Sequence, residues 1–330
     1  METIKIGVVG LGYFGALELD ILANMVGVEV SAIVSRSEER TRELMERYNI
    51  ANAFQSTDEM LEKVKLNAIL IATEDERHYQ PTMASLEAGV DVFLEKPISH
   101  DLKEARNMID EADRLNRKFM VGHILRHDVS YAAVKSRIES GEMGRLNVVY
   151  GRRNMFKGLI EQYLPNLFYT TAIHDIDIIL WYYEGIKPVE VFMKTVDTFG
   201  SGADVFWGMI TMEDGSLGIV ETNWTLPEAT PWRGHIVMEA NGSEATAHIN
   251  MPGNGLQFWT DEEVVVPDTV YWPALHGVTV GALRNELAYF IRCLIEDKPI
   301  TLPLPEDAYK SLQVAEALIR SAKEGKPIRL

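Results

Sequence analysis

At 330 residues the chain is longer than a single core usually grows, roughly 250 residues, so two domains are expected. Hydrophobic residues at 46% and charged residues at 25% are ordinary globular values, which excludes disorder, collagen and disulfide scaffolds. A formal net charge of −17 repels nucleic acid and anionic membrane, so a phosphate-bearing ligand must be held by locally placed donors.

The opening "METIKIGVVG" has neither a basic n-region nor an apolar stretch long enough for a signal peptide, and no later run approaches about 20 apolar residues. A lone cysteine, Cys293, can make no internal disulfide or cysteine metal cluster. Together these features lead us to expect a cytoplasmic protein.

The first third alternates short apolar runs with helical patterns. Strands are predicted at Ile4–Val9, Val28–Val34, Ala68–Ala72, Asp91–Leu94 and Phe119–Val121, with a short one near Ala53. Each is almost continuously apolar, as parallel strands covered on both faces are. In "DLKEARNMIDEADRLNR" the apolar residues Leu102, Ala105, Met108, Ile109, Ala112 and Leu115 recur at helical spacing. This βαβ order predicts an α/β fold with an N-terminal Rossmann doubly wound parallel sheet.

"GVVGLGYFG" turns from the first strand into a helix with Gly10, Gly12 and Gly15 at G-x-G-x-x-G spacing. The first glycine permits the tight turn, the second lets pyrophosphate approach the backbone, and the third lets helix pack on strand. We take these glycines, with Tyr13 and Phe14 between them, as cofactor-binding candidates, the helix N-terminus supplying N–H donors to phosphate. At the end of the second strand, NAD-binding versions carry an acidic residue for the adenosine ribose. Here "IVSRSEER" offers Ser35 and Arg36, a hydroxyl and a guanidinium that can hydrogen-bond a 2′-phosphate, so NADP is expected to be favoured over NAD. Thr73 and His78 in "ATEDERHYQP" are further cofactor-side candidates, although simple helix capping explains them as well.

"DVFLEKPISH" closes the fifth strand with Glu95, Lys96 and Pro97. Ligands of open α/β sheets lie outside the carboxyl ends of the strands, so these residues are expected at the nicotinamide end of a bound dinucleotide. An exposed ion pair at a strand end is the plainer alternative.

The first domain is expected to span residues 1–122 and a second 123–330. In the latter, runs such as "LNVVYGRR", "VEVFMKTVD", "VFWGMITM", "LGIVETNW" and "GHIVMEAN" are separated by turn signals including "EDGS" and "NGSE". They predict a large, mostly antiparallel open sheet in an α+β domain. Helices are expected over "YTTAIHDIDIILW", over a stretch with Leu283, Leu287, Phe290, Ile291 and Leu294 on one face, and after "PLPEDA". Asp175 reads as an acid in the first helical turn, favourable to the dipole. His174 with Asp175 and Asp177 does not by itself specify a metal site, so no metal is expected.

The series "GLGYFG", "EKP", "VGHILRHDVSY" and "AIHDIDIILW", in this order, resembles the Gfo/Idh/MocA family of glucose-fructose oxidoreductase and inositol 2-dehydrogenase. The likeness extends through "NELAYFIRCLIEDKP" to "SAKEGKPIRL" and so covers essentially the whole chain. It implies NAD or NADP, hydride exchange with a secondary alcohol of a sugar, cyclic polyol or sugar derivative, and self-association as a homodimer or homotetramer. It also implies that Lys96, before a proline that is often cis, works at the reacting carbon, and that His174 is the general acid/base. The family's aspartate four residues before that histidine is here Thr170, which shares a helix face with His174 but carries no charge. His123 after the sixth strand, with Arg153, Asn154 and Tyr163 in the second domain, are candidates to face substrate. Trp224 is a weaker one, and Arg126 is expected to hold the domains together rather than to bind. A nucleotide-sugar 3-dehydrogenase of the UDP-sugar type, or a catalytically weak NAD(P)-binding sensor, are the alternatives kept.

Overall fold

The computed structural model describes residues 3–251 and 255–330. Its first sheet has six parallel strands: β1 (Ile4–Val9), β2 (Val28–Val34), β3 (Asn52–Phe54), β4 (Ala68–Ile71), β5 (Asp91–Glu95) and β6 (Phe119–Gly122). Their order is β3-β2-β1-β4-β5-β6, so the sequence in which strands are added reverses between β1 and β4. Helices α1 (Tyr13–Ala23), α2 (Glu38–Tyr48), α3 (Thr57–Lys63), α4 (Tyr79–Glu87) and α5 (Leu102–Arg114) make the crossovers. All residues of β4 and β6 are buried, which is why these sequences are continuously apolar rather than alternating. Helix α5 buries Ala105, Met108, Ile109 and Ala112 as one stripe, and Asp101 caps it by accepting from the N–H groups of Lys103 and Glu104.

The second sheet is built from β7 (Leu146–Met155), β8 (Pro188–Val196), β9 (Val205–Met212), β10 (Leu217–Asn223), β11 (Gly234–Gly242) and β12 (Thr246–Met251), with the two-residue strand Ile328–Arg329 on the β8 edge. All of its pairings are antiparallel except β7 with β10, so it is the mostly antiparallel sheet expected. Helices α6 (Val129–Glu139), α7 (Ile160–Tyr163) and α8 (Leu167–Tyr182) belong with it.

Helix α8 lies against β7 and β10. Two glycines make room for it: a Cβ on Gly151 would come within 2.8 Å of the Asp175 Cβ, and one on Gly218 within 2.6 Å of the Ile179 methyl. In this contact the buried Arg153 of β7 donates two hydrogen bonds, 3.0 and 3.1 Å, to the buried Asp175 carboxylate. Because the helix begins at Leu167, Asp175 and Asp177 sit in its middle and not in the first turn. Asp175 is therefore a core ion-pair residue, and the dipole reading of it is corrected.

Helices α9 (Ala282–Ile295) and α10 (Pro305–Glu324) follow. The chain divides into two compact units: one holds residues up to His127 together with Val270–Tyr309, the other Asp128–Thr269 with Lys310–Leu330. The expected second domain of 123–330 is thus too long, because its segment 270–309 folds back onto the Rossmann sheet. There α9 packs on α1 and β1, Phe290 stands edge-on to Phe93 at 5.6 Å, and Thr279 donates to Asp20 at 2.8 Å. The amphipathic pattern of α9 is legible in the sequence, but its partner is not.

Replacing Arg153 by Met should cost about 3–5 kcal/mol in urea unfolding, because the Asp175 carboxylate would be left buried and unpaired. The double change Arg153→Met with Asp175→Leu should recover most of that loss. Equal stability of the single variant and wild type would contradict the account of α8.

Candidate active site

In the first unit the three glycines meet three different spatial demands. Gly10 has φ +91°, a conformation that L side chains rarely adopt, and a Cβ there would lie 2.4 Å from the Ala72 carbonyl oxygen. Gly15 lies so close to the turn that a Cβ would be 2.0 Å from the Gly10 oxygen. Around Gly12 there is open space, with no atom within 4 Å of a Cβ. Gly12 is also the N-cap of α1, and no side chain caps that helix. The first-turn N–H groups of an uncapped helix, beside a glycine facing open space, suit a pyrophosphate. Tyr13 is 67% exposed, whereas Phe14 turns back and packs edge-on against Trp272 at 5.2 Å.

At the end of β2 the Ser35 hydroxyl accepts the Ser37 N–H at 3.2 Å, and Ser37 caps α2. The Arg36 guanidinium is hydrogen-bonded to the Glu74 carboxylate from the loop after β4, and both side chains are well exposed. In that same loop the Thr73 hydroxyl oxygen is buried with no hydrogen-bond partner among the described residues, so it is available to a bound group. His78 behaves differently from the cofactor contact expected. Its ring is buried, with Nδ1 2.8 Å from the Pro97 oxygen and Nε2 3.3 Å from the Thr73 oxygen, so it ties the β4 loop to the end of β5. Burial depresses its pKa, with the nearby Asp75 and the two backbone oxygens opposing. For Asp75 burial pushes upward, but the His100 hydrogen bond and the Lys96 charge outweigh it and keep the carboxyl below its usual range.

Lys96 follows directly on β5, half-buried, with a cis peptide to Pro97. Its N–H donates to Glu95 Oε2 at 3.2 Å. Glu95 is buried and points away from open space: its Oε1 would lie 2.8 Å from a Cβ on Gly122 of the neighbouring strand. His123 and Arg126, after β6, are both buried, and Arg126 pairs with Asp307 of α10 at 2.9 Å inside the same unit.

In the second unit α8 buries nearly every side chain from Leu167 to Ile179, and the exceptions include Thr170 and His174, both half-exposed. They are four residues apart and share one helix face, as expected. The Thr170 hydroxyl donates to the Asn166 carbonyl at 3.0 Å. Asp177 accepts from Ser311 of α10 at 3.4 Å. Two substrate candidates are spent elsewhere. Arg153 is committed to Asp175 in the core, and Asn154 donates to Glu221 at 3.0 Å while its Oδ1 accepts the Asn223 N–H at 3.0 Å. Tyr163 is half-buried with its ring 5.5 Å from that of Trp224, which is itself core. Spacing gave no hint of three features: Glu18 beneath Glu95, Trp272 against Phe14, and Glu74 on Arg36.

A three-glycine turn under an uncapped helix, at the first strand of a sheet ordered 3-2-1-4-5-6, defines a Rossmann dinucleotide-binding protein. Residues 4–123 match the model described as oxidoreductase family, NAD-binding Rossmann fold, and residues 131–248 match the Gfo/Idh/MocA C-terminal domain. The chain belongs to the Gfo/Idh/MocA family. It is 31% identical over 225 residues to inositol 2-dehydrogenase of Salmonella typhimurium, a match covering 67% of this chain and 64% of that enzyme's length. To inositol 2-dehydrogenase of Rubrobacter xylanophilus it is 26% identical, over 99% of this chain and 93% of the relative. Among solved structures, scyllo-inositol dehydrogenase from Lactobacillus casei with bound NAD(H) and scyllo-inositol superposes with a TM-score of 0.86 at 20% identity, covering 99% of both chains. Among the described residues no helix is long and apolar enough to cross a membrane.

The glycine geometry separates binding from folding. Gly12→Ala should leave the melting temperature within about 2 °C while weakening dinucleotide binding by about tenfold or more, read by fluorescence titration. Gly15→Ala, forced onto the Gly10 backbone, should lower the melting temperature clearly. Equal binding by Gly12→Ala and wild type would refute the assignment of the open space to pyrophosphate.

Proposed function

We propose that this chain is an NAD(P)-dependent dehydrogenase that moves a hydride between nicotinamide and a secondary alcohol or ketone of an inositol-like polyol, a sugar or a sugar derivative. It works in the cytoplasm as a homodimer or homotetramer. The observation that carries the reading is Lys96 at the carboxyl end of β5, in the same unit as the open glycine turn. The resemblance to inositol 2-dehydrogenases supports the substrate class.

The residues present fit a dinucleotide: Gly12 leaves space, α1 leaves donors, and the Thr73 hydroxyl oxygen is buried without a partner. When bound, the dinucleotide accepts or supplies the hydride at its nicotinamide ring. In oxidation His174 takes the proton of the reacting hydroxyl, and the Lys96 ammonium hydrogen-bonds that oxygen and stabilises its developing negative charge. In reduction His174 returns the proton and Lys96 polarises the carbonyl. Thr170, one helical turn before His174, offers a neutral hydroxyl, which suits an uncharged polyol. His123 and Tyr163 remain substrate-side candidates.

Incubation with NAD or NADP and a panel of inositols, sugars and UDP-sugars, read by absorbance of the reduced nicotinamide, tests the activity. Turnover with a polyol is expected. Dinucleotide binding without turnover of any panel member would favour a sensor. Lys96→Ala and His174→Ala should each lower kcat by about 100-fold or more with dinucleotide affinity retained. Full activity in both would end the mechanism.

For the cofactor, we propose that Ser35 and Arg36 take the 2′-phosphate of NADP and so favour it over NAD. The Arg36–Glu74 pair is exposed, and such pairs contribute about 0–1 kcal/mol, so a phosphate can replace Glu74 at little cost. Arg36→Ala should raise KM for NADP by about tenfold and leave that for NAD within about threefold. Equal KM changes for the two dinucleotides would refute this preference.

A further inference from the structure

Glu18 lies on α1 three residues beyond Gly15 and is fully buried, at 0% exposure. Neither of its carboxyl oxygens meets a hydrogen-bond donor among the described residues. Its neighbour is the buried Glu95 of β5, within side-chain hydrogen-bond reach, and Glu286 of α9 places a third carboxyl nearby. A leucine or methionine would fill this space without desolvating an acid. The acid is instead carried on the helix that forms the phosphate loop, against the residue that precedes Lys96.

Two carboxyl groups in contact in a dry interior cannot both ionise, so the pair holds at least one proton. Their surroundings decide which group keeps it. Glu95 faces the Lys96 charge and accepts the Lys96 N–H at 3.2 Å, with Asp75 opposing more weakly. Glu18 faces only burial and the negative charges of Glu95 and Glu286. Burial first, and then the Glu95 charge, push the Glu18 carboxyl well above its ordinary range. Burial also raises Glu95, but Lys96 and the hydrogen bond with Glu18 pull it back. The proton therefore resides on Glu18, which is a donor aimed at a carboxylate acceptor.

We propose that Glu18 is a positioning residue for Lys96: as a neutral acid it donates a hydrogen bond to Glu95, whose carboxylate in turn accepts the Lys96 N–H. The chain of contacts clasps the phosphate-loop helix to the strand end that bears the lysine, so one buried proton holds cofactor turn and lysine in register. When that proton is lost, the two carboxylates repel and the clasp opens.

The sign of the pH effect follows from linkage. A carboxyl whose pKa is raised on folding contributes stability that is present below its unfolded pKa and is lost as pH rises toward the folded value. Glutamine at position 18 replaces the acid's O–H with an amide N–H donor and does not titrate, whereas methionine keeps the bulk and has no donor. We therefore expect the melting temperature of Glu18→Gln to gain steadily on wild type from about pH 5 upward. In kinetics with a substrate that wild type turns over, Glu18→Gln should stay within about threefold of wild-type kcat at neutral pH and lose the alkaline decline. Glu18→Met should lower kcat by about tenfold at neutral pH, with the dinucleotide dissociation constant within about threefold, on the scale of one lost charge-assisted hydrogen bond.

Identical pH profiles and kcat for wild type, Glu18→Gln and Glu18→Met would overturn the proposal, as would damage by Gln equal to that by Met. The kinetic arm rests on the dehydrogenase reading, but the melting arm does not. If wild type turns over no polyol, that reading falls, and a pH-independent melting difference between Glu18→Gln and wild type still overturns the clasp.

Discussion

The first unit depends on backbone meeting backbone where β1, α1 and the end of β4 converge. A single Cβ on Gly10 or Gly15 would fall 2.0–2.4 Å from a carbonyl oxygen, so no side chain can stand between these segments. That contact fixes the direction of α1 and therefore where its uncapped N-terminus points. It also fixes the next turn of the helix, which brings Glu18 down onto the end of β5. Anion affinity at the mouth of the sheet and the buried acid pair beneath it are two results of one close approach.

The second unit solves a related problem with a different device. Helix α8 lies flat on a sheet face cleared by Gly151 and Gly218, and the Arg153–Asp175 pair sits in the dry contact between them. Replacing one partner leaves a charge without compensation, so a rotation of the helix that separated Asp175 from Arg153 would be penalised. With Asp175 turned to the sheet, residues 170 and 174 are left at the half-exposed face. Asp177 is held separately by Ser311. The polar residues of "AIHDID" thus have different tasks, with both aspartates structural.

How much was readable in advance depended on whether a feature is local. Strands β1, β2 and β4 to β6 are nearly continuous apolar runs because both faces are covered, and their bounds in the sequence agree with the fold to within a residue. The glycine spacing is similarly local, since each glycine answers to a turn a few residues long. The internal partners of Arg153 and Asn154 could not be read in advance, because Asp175 and Glu221 are 22 and 67 residues distant and a polar residue in a strand looks the same whether it faces ligand or core. The Glu18–Glu95 contact and the return of 270–309 are tertiary in the same sense. A glutamate set between Leu17 and Leu19, two residues before Asp20, was the one signal available for Glu18.

The discontinuity of the first unit bears on how the chain comes to be made. Synthesis runs from the N-terminus, and domains generally fold as they emerge. Here the six parallel strands are complete by Gly122, but the helix that covers α1 and β1 and brings Phe290 against Phe93 is translated only after β7 to β12 of the second sheet. Until then the nascent Rossmann half lacks the apolar cover that α9 gives α1, β1 and Phe93. Its maturation must wait for the other half, so the two units are coupled in time through the order of the chain.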